Sequence, residues 1–286
     1  MSHHPTERSL VVVVTSFLLL GIAIGARFTI AEPQHETEEG KSGEHMAVLG
    51  DWYVPEPEVS WQWQLQGEID TSYDVDVYNL DLFEVPRETI SELHDRDIRV
   101  VCYVSAGTWE RFRPDATRIP SEVLGTTLAE WEDERWLDAS RYELFSEVIE
   151  DRLDLAVTKA CDAIEFDNVD AFEQSTGFVI SEQDQLQYNR WLAQEAHVRG
   201  LGVGLKNNLS QVPELVSDFD FAVNEQCFEY EECDVLQLFI QQDKAVLGVE
   251  YNLDSSEFCE EAQEQRLSWL RMSLELDGGR EACDDE

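Results

Sequence analysis

Two acidic side chains end short apolar segments in positions where carboxyl chemistry could be used. In the segment Ala163–Asp167, acidic residues occupy alternate positions, Glu165 and Asp167. Side chains two residues apart in a β-strand share a face, so both carboxyl groups should point the same way. The segment Phe221–Glu225 similarly ends in Glu225. Two carboxyl groups facing one cleft can cleave a glycosidic bond, because one protonates the leaving oxygen and the other attacks the anomeric carbon or activates water.

Glu165 lies one layer deeper in the predicted barrel than Asp167. A carboxyl group at that depth is costly to bury without a partner. Lys206, which ends the next apolar segment, is the candidate cation. We expect Glu165 and Lys206 to form a buried ion pair with a mainly structural role. For Asp167 and Glu225 the competing interpretation is a pair of solvated acids, since the chain has 61 acidic residues. Their position at strand ends favours a site.

Short apolar runs alternate with longer stretches of helical periodicity, which predicts β–α units around a parallel sheet. The eight candidate strands are Trp61–Leu65, Val75–Leu80, Arg99–Ser105, Ala163–Asp167, Gly202–Lys206, Phe221–Glu225, Ala245–Glu250 and a weak one near Met272–Leu276. The candidate helices include Arg87–Asp95, Tyr142–Ala160, Gln183–Arg199 and Glu257–Leu270. This order predicts a single-domain α/β protein of the (β/α)8 TIM-barrel class. An open doubly wound sheet is the alternative, but no GxGxxG motif follows a strand.

Polar side chains, among them acids, amides and a lysine, recur at five predicted strand ends, where such barrels hold their active sites. The clusters are Tyr103-Val104-Ser105, Asp167-Asn168-Val169-Asp170, Lys206-Asn207-Asn208, Asn224-Glu225-Gln226 and Glu250-Tyr251-Asn252. Aromatic residues near these ends, such as Trp136, could stack on sugar rings, although Trp61 and Trp63 are as well explained by the core.

The formal net charge of −41 disfavours nucleic acid as a partner, because the chain repels phosphate. The same charge would attract a polycationic substrate, or could be an adaptation to high salt or the acidity of an ordinary secreted protein. Asp167, Asn168 and Asp170 resemble calcium-binding spacing, but the remaining ligands and the loop glycine are missing. We predict neither a metal nor another cofactor.

The N-terminus has the pattern of a targeting element. Arg8 precedes the largely apolar run Leu10–Ile24, which predicts a signal peptide or membrane anchor within residues 1–31. Residues 32–50 are predicted to be an acidic flexible linker, and residues 51–286 the folded domain. The expected location is therefore secreted, periplasmic or at the cell surface, with membrane contact only through an N-terminal anchor.

Six cysteines in an exported chain permit disulfide bonds. Cys227 and Cys233 enclose a short loop and are the first choice for a bond. A bond between Cys259 and Cys283 would hold the C-terminus. Cys102 and Cys161 lie at predicted strand positions, where buried free thiols and a bond are equally plausible.

Several sequence blocks, in this order, resemble the endo-α-1,4-polygalactosaminidase family of glycoside hydrolases, which fold as (β/α)8 barrels. The blocks are Trp61-Gln62-Trp63-Gln64-Leu65, Cys102-Tyr103-Val104-Ser105-Ala106-Gly107-Thr108-Trp109-Glu110, Glu134-Arg135-Trp136-Leu137-Asp138, Ile164-Glu165-Phe166-Asp167-Asn168-Val169-Asp170, Gly204-Leu205-Lys206-Asn207, Asn224-Glu225-Gln226-Cys227-Phe228 and Val249-Glu250-Tyr251. The sequence departs from the family after the last strand, at Leu276-Asp277-Gly278-Gly279-Arg280.

The resemblance implies an endo-acting hydrolase of α-1,4-linked galactosamine polysaccharides, with Asp167 and Glu225 as its catalytic pair. The expected substrate-binding residues are Tyr103, Asp138, Glu165, Asp170, Lys206, Asn207, Glu250 and Tyr251. A non-catalytic carbohydrate-binding barrel and a hydrolase of another α-linked polysaccharide are the alternative functions. The sequence leaves open whether anomeric configuration is retained or inverted.

Overall fold

The computed structural model describes residues 52–129 and 131–283. The strands are β1 (Trp61–Gln64), β2 (Val77–Asp81), β3 (Arg99–Ser105), β4 (Thr108–Glu110), β5 (Leu124–Thr127), β6 (Glu134–Leu137), β7 (Ala163–Asp167), β8 (Gly202–Lys206), β9 (Phe221–Glu225), β10 (Val246–Glu250), β11 (Ser268–Met272) and β12 (Arg280–Ala282). The helices are α1 (Arg87–His94), α2 (Ser146–Lys159), α3 (Glu182–His197), α4 (Val212–Leu215), α5 (Gln237–Ile240) and α6 (Ser255–Glu264).

Nine strands form a nearly closed barrel in the order β1-β2-β3-β7-β8-β9-β10-β11-β12. The first eight strands in this order are parallel, and β12 is antiparallel to β11. Contacts from β1 to the C-terminal part of the chain bring its two edges together: the Trp61 indole donates to Ser268 O at 3.0 Å, and Leu65 N donates to Leu276 O at 2.9 Å. The predicted single-domain (β/α)8 class is confirmed.

Alternation along the strands separates an inner cluster from an outer layer under the helices. Phe221 and Val223 of β9 belong to the inner cluster, whereas Ile164 and Phe166 of β7 pack in the outer layer. Glu165 and Asp167 therefore share the inner face, as the period-two pattern predicted. Gly204 on the inner face of β8 leaves space for the Phe221 ring, which would lie 2.4 Å from a Cβ atom at that position.

A second, antiparallel sheet of β4, β6 and β5 is inserted between β3 and α2. The sequence did not predict it. The turn between β3 and β4 contacts the end of β7, because Ala106 N and Gly107 N both donate to Asp167 O, at 3.0 and 3.1 Å. The insertion is thus fixed against the barrel at the end of the strand that carries Asp167.

The last β–α unit differs from the predicted boundaries. The helix predicted to reach Leu270 ends at Glu264, and the final parallel strand is β11, rather than Met272–Leu276. Arg266 adopts a left-handed φ of 61° that ends the helix. The following residues alternate, with Trp269 in the outer layer and Leu270 in the inner cluster.

Three disulfide bonds connect Cys102 with Cys161, Cys227 with Cys233 and Cys259 with Cys283. The second and third confirm the predicted pairs, and the first settles the alternative between free thiols and a bond.

The predicted signal peptide or anchor at 1–31 and the linker at 32–50 lie outside the described residues. Among residues 52–129 and 131–283, no helix is long and apolar enough to cross a membrane.

Candidate active site

A cleft of about 580 Å³ opens at the carboxyl ends of the barrel strands. Its walls include Asp167 of β7, Lys206 of β8 and Glu225 of β9. The inserted sheet contributes Glu110, Glu134 and Trp136, whereas Leu274, Glu275 and Leu276 come from the segment before β12. The site therefore combines strand ends with an inserted wall.

Lys206 joins the two candidate catalytic acids. Its ammonium is bonded to Asp167 Oδ1 at 3.2 Å and to Glu225 Oε2 at 2.7 Å, and its side chain is only 4% exposed. Burial opposes the charge, but the Asp167 and Glu225 carboxylates outweigh burial and raise the pKa of Lys206 above its usual range. Lys206 Nζ also lies 5.3 Å from the centre of the Trp63 ring, within the range of a cation–π contact.

Asp167 is held by three donors. Besides Lys206, the Tyr103 hydroxyl donates to Oδ2 at 2.8 Å, and the backbone N–H of Asn168 donates to Oδ1 at 2.8 Å. Asn168 adopts a left-handed φ of 62°, and its side-chain amide donates to Ser105 Oγ at 3.0 Å. Because asparagine tolerates this conformation better than most residues, the turn after β7 can direct an N–H back to the Asp167 carboxylate.

Glu225 has a matching set of donors. The Tyr251 hydroxyl donates to Oε1, while Lys206 and the Asn207 amide, at 3.3 Å, donate to Oε2. Asn207 Oδ1 accepts from Glu225 N at 3.0 Å, so this one side chain binds both ends of the residue. Asn207 follows β8 and Tyr251 follows β10, and the strands on both sides of β9 therefore orient Glu225.

Glu165 is fully buried and does not pair with Lys206 as the sequence predicted. Its Oε2 accepts a hydrogen bond from Asn79 of β2, and its Oε1 has no hydrogen-bond partner among the described residues. Strand register explains the difference: Glu165 lies opposite Gly204, so Lys206 lies beside Asp167, one layer nearer the mouth. Burial raises the pKa of Glu165 to about 8, although the nearby Lys206 charge opposes this.

The profile of glycoside-hydrolase family GH114 matches residues 44–286. The chain belongs to family GH114. Among solved structures, Ega3 of Aspergillus fumigatus in complex with galactosamine is similar, with a TM-score of 0.77 and 32% sequence identity over 81% of this chain and 97% of that one. The glycoside hydrolase domain of PelA from Pseudomonas aeruginosa has a TM-score of 0.62 at 12% identity over 78% of this chain and 98% of that one, which shows the shared fold. No curated protein matches the sequence.

Most of the predicted substrate-binding residues of this GH114 enzyme line the cleft: Tyr103, Asp170, Lys206, Asn207 and Tyr251. Asp170 accepts from the Gln174 amide at 2.8 Å, and burial raises its pKa.

Three of the predicted residues lie outside the cleft lining: Glu165, described above, Asp138 and Glu250. Asp138 accepts from Ser140 and Arg141 at the turn after β6, where it fixes the chain direction. Glu250 is fully buried, and its Oε1 accepts from Phe228 N at 2.9 Å, which holds the loop after Glu225. Both carboxylates are thus bonded to neighbouring segments of the chain.

Sequence reasoning did not select Glu134, which lines the cleft of this GH114 enzyme, or Asn79, which donates to the buried Glu165. Asn79 occupies an inner position of β2 opposite Trp63, and a buried amide in an apolar strand is a signal that could have been read. Glu134 belongs to a strand of the inserted sheet that was not predicted. Among the described residues, no group of three or more His, Cys, Asp or Glu side chains is arranged to hold a metal ion.

Proposed function

We propose that this GH114 glycoside hydrolase cleaves α-1,4-linked galactosamine polysaccharides internally, with Asp167 and Glu225 as the catalytic carboxyl pair. The observation that carries the proposal is that both carboxylates, at the ends of β7 and β9, bind the same buried ammonium of Lys206 within one cleft. One of the two carboxyl groups protonates the leaving glycosidic oxygen, and the other attacks the anomeric carbon.

The spacing of the two acids supports retention of anomeric configuration. Because Asp167 Oδ1 and Glu225 Oε2 bind one nitrogen at 3.2 and 2.7 Å, the nearer oxygens of the two carboxyl groups lie less than about 6 Å apart. Retaining enzymes hold their carboxyl groups about 5–5.5 Å apart, whereas inverting enzymes need about 6.5–9.5 Å to admit a water molecule. The first product released should therefore carry the same α configuration as the substrate, which NMR of the newly formed ends can measure.

An amino-sugar substrate is supported by charge and by similarity. The formal net charge of −41 attracts a cationic polymer, and the similar Ega3 structure contains galactosamine. Trp136 and the 44%-exposed Trp131 line the cleft, where their rings can stack on sugar faces.

The test uses the full chain and a galactosamine polymer, with reducing ends and product lengths measured over time. Wild type should release oligomers of mixed length early in the reaction, whereas D167N and E225Q should each be at least ~10²-fold slower with unchanged folding. Release of monomers from the start would contradict internal cleavage. Binding of the polymer without new reducing ends would identify a carbohydrate-binding barrel, and cleavage only of neutral α-glucans would change the substrate.

We also propose that the chain is exported, with residues 1–31 as signal peptide or anchor. Support comes from the three disulfide bonds, which persist in oxidising compartments. Expression in the native host followed by cell fractionation and N-terminal sequencing tests the proposal. Recovery in the cytoplasm with free thiols would contradict it.

A further inference from the structure

Glu134 is a cleft-lining carboxylate without a cation. Its Oε2 accepts from the Thr108 hydroxyl at 2.9 Å, and among the described residues it forms no ion pair. Four other acids of the cleft are paired with a cation: Asp81 and Glu110 share Arg113, at 2.6 and 2.7 Å. Asp167 and Glu225 share Lys206 in the same way. When Glu134 is ionised, it therefore places a negative charge in the cleft with no cation bonded to it.

A chain of hydroxyl groups fixes one edge of this carboxylate. The Thr108 hydroxyl donates its proton to Glu134. The Thr108 oxygen therefore accepts a hydrogen bond from Ser105 Oγ at 2.5 Å. Ser105 Oγ in turn accepts from the Asn168 side-chain amide at 3.0 Å. Every donor in this chain points towards Glu134. The arrangement holds the carboxylate in one orientation with Oε1 left for another partner, and it connects Glu134 to the turn that orients Asp167.

The strand that carries Glu134 also supplies an aromatic ring. Glu134 and Trp136 are two residues apart on β6 and both line the cleft. Side chains on one face of a strand are separated by about 7 Å, a span comparable with one sugar ring. A pyranose stacked on Trp136 would thus bring one ring substituent to the Glu134 carboxylate.

Burial raises the pKa of Glu134 to about 7, and the charges of Glu110 and Asp167 add to this while that of Arg113 opposes it. A bound ammonium would favour the ionised form and lower this pKa. Affinity for a cationic ligand at this position should consequently fall as the pH drops below 7, because the protonated carboxyl no longer carries the charge.

We propose that Glu134 binds the ammonium group of an amino sugar seated on Trp136, and so makes the enzyme distinguish free amino groups from N-acetylated ones. Glu134 is then a specificity-determining residue. The inference rests on the proposed function for its substrate class.

The test compares wild type with Glu134→Gln on a galactosamine polymer and on its fully N-acetylated form. Gln keeps an oxygen that can accept from Thr108 but removes the charge. We expect kcat/KM on the amino polymer to fall at least about ten-fold, as for loss of a charged hydrogen bond, with little change on the acetylated polymer. The matched control is Glu132→Gln, which removes the same charge from an exposed position two residues away.

Two further measurements separate this inference from the proposed function. The dissociation constant for galactosamine oligomers, read by tryptophan fluorescence, reports recognition even if the chain proves non-catalytic. In wild type this constant should rise as the pH falls from 8 to 6, and Glu134→Gln should lose that dependence. Thr108→Val keeps the charge but removes the hydroxyl that orients it, so it should lower kcat/KM mainly on the amino polymer, by less than Glu134→Gln does, and leave the pH dependence of binding in place. Equal losses of Glu134→Gln on both polymers, or no loss on either, would overturn the assignment.

Discussion

Replacing Glu165 with Gln should stabilise the protein relative to wild type as the pH rises, the opposite of what a pair with Lys206 would give. Burial raises the pKa of Glu165 from its usual 4.5 to about 8. Between these values the folded protein keeps a proton that the unfolded chain has released, so the free energy of unfolding falls with rising pH. One linked proton corresponds to about 1.4 kcal/mol per pH unit. Wild type should therefore lose roughly 3 kcal/mol between pH 5 and pH 8 through this residue.

Gln has the shape of the protonated carboxyl, and its oxygen can still accept from Asn79. The free energy of unfolding of Glu165→Gln minus that of wild type should therefore be roughly 3 kcal/mol larger at pH 8 than at pH 5. Urea unfolding followed by tryptophan fluorescence at half-unit pH steps measures this difference, from which other titrating groups cancel. Glu92→Gln on the exposed face of α1 is the control for one lost charge. If this difference stays constant with pH, or if the variant loses stability relative to wild type as the pH rises, the reasoning is refuted. An ion pair between Glu165 and Lys206 would then be the better interpretation.

Three other predictions concern the site. Tyr103→Phe and Tyr251→Phe each remove a hydroxyl donor to one of the two candidate catalytic carboxylates and should lower kcat about ten- to a hundred-fold without unfolding the protein; unchanged kcat in both would exclude a role for these bonds. Gly107→Ala would place Cβ 1.6 Å from Asn168 O and should cost about 3 kcal/mol or more in urea unfolding, whereas Gly279→Ala, with only an ordinary contact at 3.7 Å, should cost little. Raising salt from about 0.05 to 1 M should lower kcat/KM for the cationic polymer and leave the acetylated one unchanged; a rise on both would indicate adaptation to brine.

Local sequence pattern was enough to locate the acids of the site. Alternation in Ala163–Asp167 and Phe221–Glu225 fixes which side chains face inward, because a strand has a period of two whatever surrounds it. The carboxyl ends of parallel strands meet at one end of a barrel, so Asp167, Lys206 and Glu225 had to lie near one another once the strands were recognised. The close spacing of Cys227 and Cys233 likewise made their bond predictable.

Only the tertiary structure decided which carboxylates Lys206 pairs with. The sequence favoured Glu165 because it is buried, but the register of β7 against β8 sets Gly204 beside Glu165 and leaves Lys206 level with Asp167. Register between strands far apart in sequence depends on how the whole barrel closes, which no local pattern records. Lys206 thus pairs with Asp167 and Glu225 at the mouth of the barrel. Glu165 instead accepts a hydrogen bond from Asn79, 86 positions away in the sequence. The position of Glu134 in the cleft also depends on tertiary structure. Its strand, β6, pairs only with the other two strands of the inserted sheet. Glu134 lines the cleft because that sheet packs against the end of β7.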